Sequence, residues 1–376
     1  MSKRIKTALI GSGAISKTYL SNIIKNFHII EMVGCSDIIP ERSRERACEF
    51  GVRQMTNEEI LADSDIQIVI NTTYPLAHYD VTKSALLAGK HVYTEKMIAV
   101  TLEEGKELVE LAQSKNLCFT TAPDTFLGAG WQAARHYIDS GLIGEPVSAF
   151  GICIRNYSDT GEEYNEPKSF VFGAGGGIPF DMGGYYLNNL INLFGPISRV
   201  SGFIKTREPI RKYPNPRHPK YGDTFTIDSP NILTGSLEFE CGVCASLLIT
   251  SESAVATTPL FEIHGTEGVL SCFDPNDFVG NVVLNRHYDP KQMPLLHGYA
   301  EECRGLGVAD MAYAIKNNRR PRAHFDIGYH AFEAVHGIIS SCETGCVYTM
   351  KSTCPKPKPI TPAIYSGTAQ ESVLDD

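Results

Sequence analysis

The first third of the chain alternates between short apolar runs and segments with helical periodicity. The apolar runs predict buried strands at residues 4–10, 28–36, 66–71, 91–94 and 118–121. The segments between them predict helices at residues 17–25, 41–50, 57–62, 79–88 and 102–114. Because strands that alternate with helices form parallel sheets, the pattern predicts an α/β domain with a doubly wound parallel sheet over residues 1–124.

The pattern changes after a helix predicted at residues 129–140. Two-residue alternation then predicts strands at residues 147–156, 199–207, 232–240, 243–251, 261–273 and 282–287. Three further helices are predicted at residues 181–194, 308–316 and 330–341. We therefore expect a second domain, residues 125–354, of α+β type, with a large open and mostly antiparallel sheet that carries helices on one face.

The free face of such a sheet needs cover, which predicts a homo-oligomer, either a dimer or a tetramer, built through this second domain. The tail, residues 355–376, is rich in proline and polar residues. It is predicted to be an extended arm that contributes nothing to the core.

Composition narrows the classes of function. A hydrophobic fraction of 43% and a charged fraction of 20% are typical of globular proteins, and 376 residues suit two domains. A formal net charge of -9 without clusters of Lys and Arg argues against nucleic acid as a partner. The chain enters its first strand without an apolar leader and contains no run long enough to span a membrane, so we expect a cytoplasmic protein with no membrane partner.

Cysteine usage points to a reduced protein without a metal site. The 11 cysteines are scattered and odd in number, unlike a disulfide framework. Cys241 and Cys244 have the CxxC spacing of a redox or metal site, but no second pair follows at the spacing of a zinc finger. We interpret them as incidental thiols at a hairpin turn.

A glycine motif, Gly11-Ser12-Gly13-Ala14-Ile15-Ser16, lies between the first predicted strand and the first helix. Gly11 permits a tight turn, Gly13 lets a pyrophosphate approach the backbone, and Ser16 allows close helix packing. The helix N-terminus then faces the anion. Although a small-residue turn also suits any strand-to-helix junction, the βαβ context predicts that this domain binds a dinucleotide.

Asp37 ends the second predicted strand, where an acidic residue bonds the adenine ribose hydroxyls. A carboxylate there repels a 2′-phosphate, which favours NAD over NADP, although Arg42 and Arg44 lie close downstream. The alternative is that Asp37 only caps the turn.

Two polar segments follow strands of the parallel sheet, at the edge where ligands bind. One segment runs from Asn71 through Thr73, Pro75 and His78, and the other contains Glu95-Lys96-Met97. Each alone fits an ordinary turn, but together they indicate a site. Asp124, after the last predicted strand, either reaches the substrate or caps a local turn.

A glycine-rich segment, residues 175–177, leads into the helix that begins near Asp181. Asp181 and Tyr185 are four residues apart and therefore share a helix face. Glycine is costly at a helix start unless something must approach closely. The alternative is a capping aspartate and a core tyrosine.

These motifs, in this order, resemble the Gfo/Idh/MocA oxidoreductases, the family of glucose-fructose oxidoreductase and inositol dehydrogenase. The resemblance covers residues 4–350 and implies an N-terminal Rossmann domain that binds NAD. It assigns the lysine beside the nicotinamide and the substrate hydroxyl to Lys96, and the Asp and His of a DxGxH motif to Asp181 and Tyr185. Tyrosine at the histidine position is similar to some members of the family, and Met97 stands where proline is frequent.

The resemblance and the motifs together give the expected site. The catalytic residues are Lys96, Asp181 and Tyr185, and the substrate contacts are these three with Asp124. The cofactor-binding residues are Gly11, Gly13, Ala14, Ile15, Ser16, Asp37, Asn71, Thr73, Pro75, His78, Glu95 and Lys96.

We expect an NAD-dependent dehydrogenase that acts on a secondary hydroxyl of a sugar, cyclitol or glycoside. Tyr185 would act as base and acid, Lys96 as its electrostatic partner, and Asp181 as the holder of Lys96 or of the substrate. A nearby ammonium lowers the pKa of a tyrosine, so an ionisation below that of free tyrosine is expected. Lys96 could instead transfer the proton. The alternatives are NAD-assisted glycoside processing through a 3-keto sugar and, with less support, a non-catalytic NAD-binding regulator.

Overall fold

The computed structural model describes residues 4–155, 173, 175–213, 216, 217, 219–253, 255–362 and 371–375. The last residue of the strand predicted at 147–156 and part of the predicted arm lie outside these residues. The N-terminal strands form one parallel sheet in the order β3-β2-β1-β4-β5-β6, as the alternating pattern predicts. Its strands are β1 (Ile5–Ile10), β2 (Ile30–Ser36), β3 (Arg53–Gln54), β4 (Ile68–Asn71), β5 (His91–Thr94) and β6 (Phe119–Thr121).

The connecting helices pack on both faces of this sheet, and their ends are encoded locally. Capping boxes start two of them, with Thr56 and Glu59 at one N-terminus and Thr101 and Glu104 at the other. A third begins at Pro75, where a missing backbone N–H costs nothing. The helices are α1 (Ala14–Asn26), α2 (Pro40–Phe50), α3 (Asn57–Ala62), α4 (Pro75–Leu87) and α5 (Leu102–Ser114).

The C-terminal part contains a nine-stranded sheet in the order β16-β15-β14-β13-β7-β12-β11-β8-β17. Only β7 and β12 pair in parallel, so the sheet is mostly antiparallel, as predicted. Its strands are β7 (Pro146–Ile154), β8 (Ile197–Lys205), β11 (Ile232–Phe239), β12 (Cys244–Thr250), β13 (Leu260–Gly265), β14 (Val269–Cys272), β15 (Val283–Arg286), β16 (Asp289–Gln292) and β17 (Tyr348–Thr349). A separate ribbon pairs β9 (Ile210–Lys212) with β10 (Thr224–Thr226).

The prediction of one strand over residues 261–273 is wrong. The run folds into β13 and β14, which pair antiparallel across a turn in which Gly265 N–H donates to Gly268 O. Cys241 and Cys244 lie as predicted, at the hairpin between β11 and β12, and both thiols are free and exposed.

The remaining α-helices of the described residues are α6 (Ala129–Asp139), α7 (Ile178–Phe194), α8 (Leu306–Lys316) and α9 (Phe325–Thr344), and short 3-10 helices lie at Thr125–Leu127 and Glu371–Leu374. Buried side chains of α7 and α9 join those of β11 and β12 in one core, so these helices cover one face of the large sheet. Helix α8 instead joins a second core with β1, α1 and β2 of the parallel sheet. None of the helices in the described part of the chain has the length and apolar character needed to cross a bilayer.

The prediction that the tail contributes nothing to the core is wrong for its described residues. Ile360 and Leu374 are only 2% and 0% exposed, and both belong to the core that contains α1 and α8. Glu371 accepts hydrogen bonds from the backbone N–H groups of His28 and Ile29, between α1 and β2. The tail therefore returns to the N-terminal half of the molecule and is anchored there.

Candidate active site

The glycine turn brings the start of α1 close to the loop after β4. Gly11 has a φ of 101°, and a Cβ at this position would lie 2.6 Å from the backbone nitrogen of Thr73, so only glycine fits. Gly13 faces open space, since no described atom lies within 4 Å of a Cβ built there. No side chain in the described part of the chain caps α1. Its first N–H groups, at Ala14 and Ile15, are thus placed to bind an anion.

Asp37 closes this turn from the end of β2. One carboxylate oxygen accepts from Ser12 N–H at 2.7 Å, and the other accepts from Ile39 N–H at 2.8 Å. Ile38, next in sequence, is 96% exposed and offers an apolar face beside the carboxylate. Asp37 therefore does cap the turn, which was its alternative role in the sequence analysis. These hydrogen bonds also orient its carboxylate at the rim of the turn.

The arginine nearest to the turn is not one of the two singled out from the sequence. Arg44 pairs with Glu41 on the outer side of α2 at 3.9 Å. Arg46 instead donates to the hydroxyl of Ser16 at 3.2 Å. A cation therefore stands beside the last residue of the glycine motif.

Asn71, at the end of β4, and His78, in α4, hold the loop between these two elements. The Asn71 amide donates to His78 O and accepts from the Thr73 hydroxyl at 2.6 Å. The two ring nitrogens of His78 lie 2.6 Å from Met97 O and 2.9 Å from Thr73 O. Both residues are almost fully buried, as is Pro75 at the start of α4, and burial lowers the pKa of His78. They shape the two loops that follow β4 and β5, and their contact with the cofactor stays a prediction.

Glu95 has a similar supporting place. It is 8% exposed, and its carboxylate accepts from the Tyr19 hydroxyl of α1 at 2.6 Å and from Lys96 N–H at 3.2 Å. The peptide bond between Lys96 and Met97 is cis. Glu95 thus fixes the backbone from which the Lys96 side chain extends.

Helix α7 brings the second half of the site to Lys96. Its N-terminus starts after Gly177, which has a φ of 96° and approaches so closely that a Cβ would lie 2.5 Å from Pro230 O. Glycine is therefore required at this position by the close approach of the Pro230 backbone. Asp181, one turn into the helix, accepts a hydrogen bond from the Lys96 ammonium and forms an ion pair with it. The same nitrogen lies 5.7 Å from the centre of the Tyr185 ring.

The electrostatics of this group correct one expectation. Burial is the largest single influence and would lower the pKa of Lys96, but Asp181, Tyr185 and Glu95 together outweigh it and the pKa is raised, so Lys96 stays an ammonium. Burial raises the pKa of Tyr185, and the neighbouring cations Lys96 and Arg304 oppose that effect without cancelling it. The expected ionisation below that of free tyrosine is therefore wrong for the protein without ligand. The ammonium is present, but desolvation outweighs it.

Asp124 does not cap a local turn, and it is 1% exposed. Its carboxylate accepts from the N–H groups of Gly305 and Gly307 at 3.3 and 2.8 Å, at the start of α8. Burial raises its pKa to about 6, against the opposing effect of the Gly307 N–H. The structure thus gives Asp124 a capping role on a distant helix, and its contact with substrate stays a prediction.

Arg304 is a residue of the site that sequence reasoning missed. Its guanidinium donates to the Tyr185 hydroxyl at 3.5 Å and to the Asn276 side chain at 2.6 Å. It lies 119 positions from Tyr185 along the chain, in the loop before α8. No spacing rule links two such residues, so the sequence carries no signal for their contact.

Two family models match the chain. The model described as "Oxidoreductase family, NAD-binding Rossmann fold" matches residues 5–122, and the "GFO/IDH/MocA C-terminal domain" matches residues 131–271. Together they span the glycine turn, the Lys96 loop and the Asp181–Tyr185 helix face.

Comparison with individual proteins agrees with these models. An uncharacterized oxidoreductase of Schizosaccharomyces pombe is 30% identical over 55% of this chain, and the match spans about half of the relative, 56% of its length. The 1,5-anhydro-D-fructose reductase of Ensifer adhaerens is 26% identical over 90% of this chain and 96% of its own. The solved structure of levoglucosan dehydrogenase with NADH and levoglucosan has a TM-score of 0.80 at 22% identity, covering 93% of this chain and 100% of that one. At that identity the structural likeness establishes the fold.

Proposed function

Because the chain belongs to the Gfo/Idh/MocA oxidoreductase family, we propose that it transfers a hydride between a nicotinamide cofactor and a secondary hydroxyl of a sugar, cyclitol or glycoside. The observation that carries the proposal is the meeting of Lys96, Asp181 and Tyr185 at the carboxyl edge of the parallel sheet, where such sheets bind ligands. The sugar substrates in the names of two similar proteins support the substrate class.

The residues of the glycine turn fit a dinucleotide. The uncapped start of α1 and the open space at Gly13 suit a pyrophosphate, and the exposed face of Ile38 suits an adenine ring. Asp37, held at the rim, suits the ribose hydroxyls and opposes a 2′-phosphate, which supports NAD over NADP. When bound, the nicotinamide supplies the hydride acceptor for alcohol oxidation or the donor for carbonyl reduction.

The proton of the reaction is assigned to Tyr185. In oxidation, the phenolate form of Tyr185 takes the hydroxyl proton of the substrate while the C–H bond gives up its hydride. In reduction, the neutral phenol returns that proton. One side chain can serve both directions, because oxidation converts the phenolate to the phenol and reduction converts the phenol back to the phenolate.

Lys96 and Asp181 are assigned supporting roles. The raised pKa of Lys96 keeps it charged, which suits an electrostatic partner of the substrate oxygen and of Tyr185 better than a base. Asp181 holds the ammonium in place from one helical turn before Tyr185. We therefore favour Tyr185 over Lys96 as the proton-transfer group.

The charges of the site favour a neutral substrate over an acidic one. Within the described residues, Lys96 already pairs with Asp181, and Arg304 already pairs with Glu302. A carboxylate on the substrate would have to compete with these partners, whereas a hydroxyl group can accept from the cation and donate to the carboxylate of each pair.

The test is a screen for NAD+ reduction by the purified protein over monosaccharides, inositols and glycosides, with identification of the products. NADH formation with a ketone product from a neutral sugar or cyclitol is the expected result. A 3-keto glycoside or a free aglycone would identify the glycoside-processing reaction instead. Tight NAD binding with no reduction by any compound would contradict an enzymatic role and favour a regulator.

A further inference from the structure

The hydroxyl of Tyr185 has a cation on one side that no motif of the sequence indicates. The guanidinium of Arg304 reaches it from the loop before α8, at 3.5 Å. The Arg304 side chain is 13% exposed, so the contact is shielded from water. A cation held this close to a buried phenol interacts more strongly with the phenolate than with the phenol.

Several neighbours hold this arginine in place. Its guanidinium donates to the side-chain oxygen of Asn276 at 2.6 Å and forms an ion pair with Glu302. Its backbone carbonyl accepts from Asn22 of α1 at 3.2 Å. The loop thus connects the helix that opens at the glycine turn with the hydroxyl of Tyr185.

We propose that Arg304 is a positioning residue for the reaction, acting through Tyr185 by orienting its hydroxyl and stabilising its phenolate when that oxygen takes the substrate proton. This inference rests on the proposed function, because it takes Tyr185 as the proton-transfer group. No further reactant is involved: the proton moves from the substrate oxygen to the phenolate oxygen, and Arg304 stays protonated throughout.

The charges around Tyr185 allow Arg304 this effect. Lys96 and Arg304 favour the phenolate, and Glu95, from the loop after β5, opposes it. Asp181 on the same helix is engaged by Lys96. Glu302 partly offsets the charge of Arg304, but its side chain is 49% exposed, so solvent screens it more than it screens the arginine.

The direct test measures the ionisation of Tyr185 itself. 3-Fluorotyrosine is placed at position 185 of the full chain, and its 19F NMR signal is followed against pH in the presence of NAD+. Arg304→Gln should raise the midpoint of this titration by about one to three pH units, the range for an opposite charge at close distance. Arg304→Lys, which keeps a charge but loses the fork that bonds Asn276, should raise it less.

Arg286→Gln serves as the matched control, because Arg286 pairs with Glu267 at a partly exposed site on β15. It should leave the midpoint unchanged. An unchanged midpoint in Arg304→Gln would overturn the proposal. If Arg304→Gln unfolds, Arg304→Lys provides the test in its place. An unchanged midpoint in Arg304→Lys would then overturn the proposal.

Kinetics separate action through Tyr185 from direct substrate binding. Arg304→Gln should lower kcat with little change in KM, and it should cost almost nothing further in a Tyr185→Phe background. A rise in KM that persists in the Tyr185→Phe background would assign Arg304 to the substrate and overturn the proposal. If no sugar or cyclitol is oxidised, the proposed function fails, but the NMR titration still decides whether Arg304 controls the ionisation of Tyr185.

Discussion

At the scale of single residues, we propose that Asp37 determines the preference between NAD and NADP. Its carboxylate is held at the rim of the glycine turn by Ser12 and Ile39, so a ribose hydroxyl can donate to it and a 2′-phosphate meets its charge. We predict that the unmodified protein prefers NAD and that Asp37→Ser lowers the ratio of kcat/KM for NAD over NADP about ten-fold or more, the loss of one charge-assisted hydrogen bond. Steady-state kinetics with both cofactors measure this ratio. Equal kcat/KM values in the unmodified protein would refute the assignment.

If Tyr185 is the proton-transfer group, as we propose, its ionisation sets the pH dependence of alcohol oxidation. Its pKa is raised by burial, so the phenolate needed for oxidation is scarce at neutral pH and increases as the pH rises. We predict that kcat/KM for oxidation keeps rising with pH up to about 10 or beyond, while kcat/KM for carbonyl reduction stays level over this range and falls only when the pH passes the pKa of Tyr185. Replacing Lys96 with Met should move the rise to still higher pH, because it removes a cation that favours the phenolate. A plateau near neutral pH would point to a different base.

Some residues of the site can be recognised from local sequence motifs, and others cannot. Lys96, Asp181 and Tyr185 lie in local motifs, and the structure brings all three together. Arg304 and Tyr19 reach the same region from distant segments. Their positions depend on how elements pack, which a local pattern does not encode.

At the scale of elements, local chemistry explains which boundaries were predictable. Helices α3 and α5 begin at the predicted residues, where a capping box starts each one. The single strand predicted at 261–273 failed because the prediction ran through the glycine-flanked turn at 265–268, which divides β13 from β14. A strand of two residues, such as β3 or β17, is too short for any period to show.

The N-terminus of α8 gives a stability prediction, because Asp124 caps it from a buried position. Burial raises the pKa of Asp124 from its ordinary value near 4 to about 6. The folded state therefore binds the proton more tightly than the unfolded state, so the free energy of unfolding falls as the pH rises from about 4 to about 7. The loss attributable to Asp124 is about 3 kcal/mol, from roughly two pKa units.

Asp124→Asn keeps an oxygen that can accept from the Gly307 N–H but cannot ionise. Chemical denaturation at pH values across this window should show that the variant lacks most of the pH-dependent loss that the unmodified protein shows. Parallel profiles for the two proteins would mean that Asp124 is not the group that titrates.

At the scale of the whole molecule, the sheet presents an apolar row on the face opposite α7 and α9. Strand register aligns Leu260, Ile152, Leu248, Thr234 and Phe203 across five neighbouring strands. Leu260 and Phe203 are 47% and 75% exposed. Such a row is costly to leave in water and suits a second copy of the chain.

We predict a symmetric oligomer in which this row is buried. Phe203→Glu should shift the protein towards the monomer, whereas Tyr288→Glu, at a 98% exposed position in the turn between β15 and β16, should not. Sedimentation velocity at micromolar concentration measures both. The prediction would be contradicted if the unmodified protein sedimented only as the 41.3 kDa monomer.

The C-terminal tail shows that composition alone does not reveal which residues of a segment join the core. Its proline and polar content predicts an arm without core, yet Ile360 and Leu374 are buried and Glu371 binds backbone N–H groups between α1 and β2. The burial of these two apolar side chains in the core that contains α1 and α8 is enough to anchor the segment. Composition averages over the segment and does not register two such positions.

The central claim is that Tyr185 transfers the proton during hydride transfer, supported by Lys96. Tyr186 offers a matched control on the same helix: it is fully buried, and its hydroxyl donates to Ile152 O at 2.9 Å, in the core of the large sheet. Tyr186→Phe should therefore keep its turnover close to that of the unmodified protein. Lys96→Met should resemble Tyr185→Phe, and the double substitution should cost little more than the worse single one.

The decisive measurement is kcat of Tyr185→Phe on the substrate found by the NAD+ reduction screen, together with the NAD dissociation constant of the same variant. Proton transfer by a positioned side chain contributes about 100-fold to 10,000-fold, so kcat should fall within that range while the dissociation constant stays nearly unchanged. An undiminished kcat would remove Tyr185 from the mechanism and leave Lys96 as the proton-transfer group.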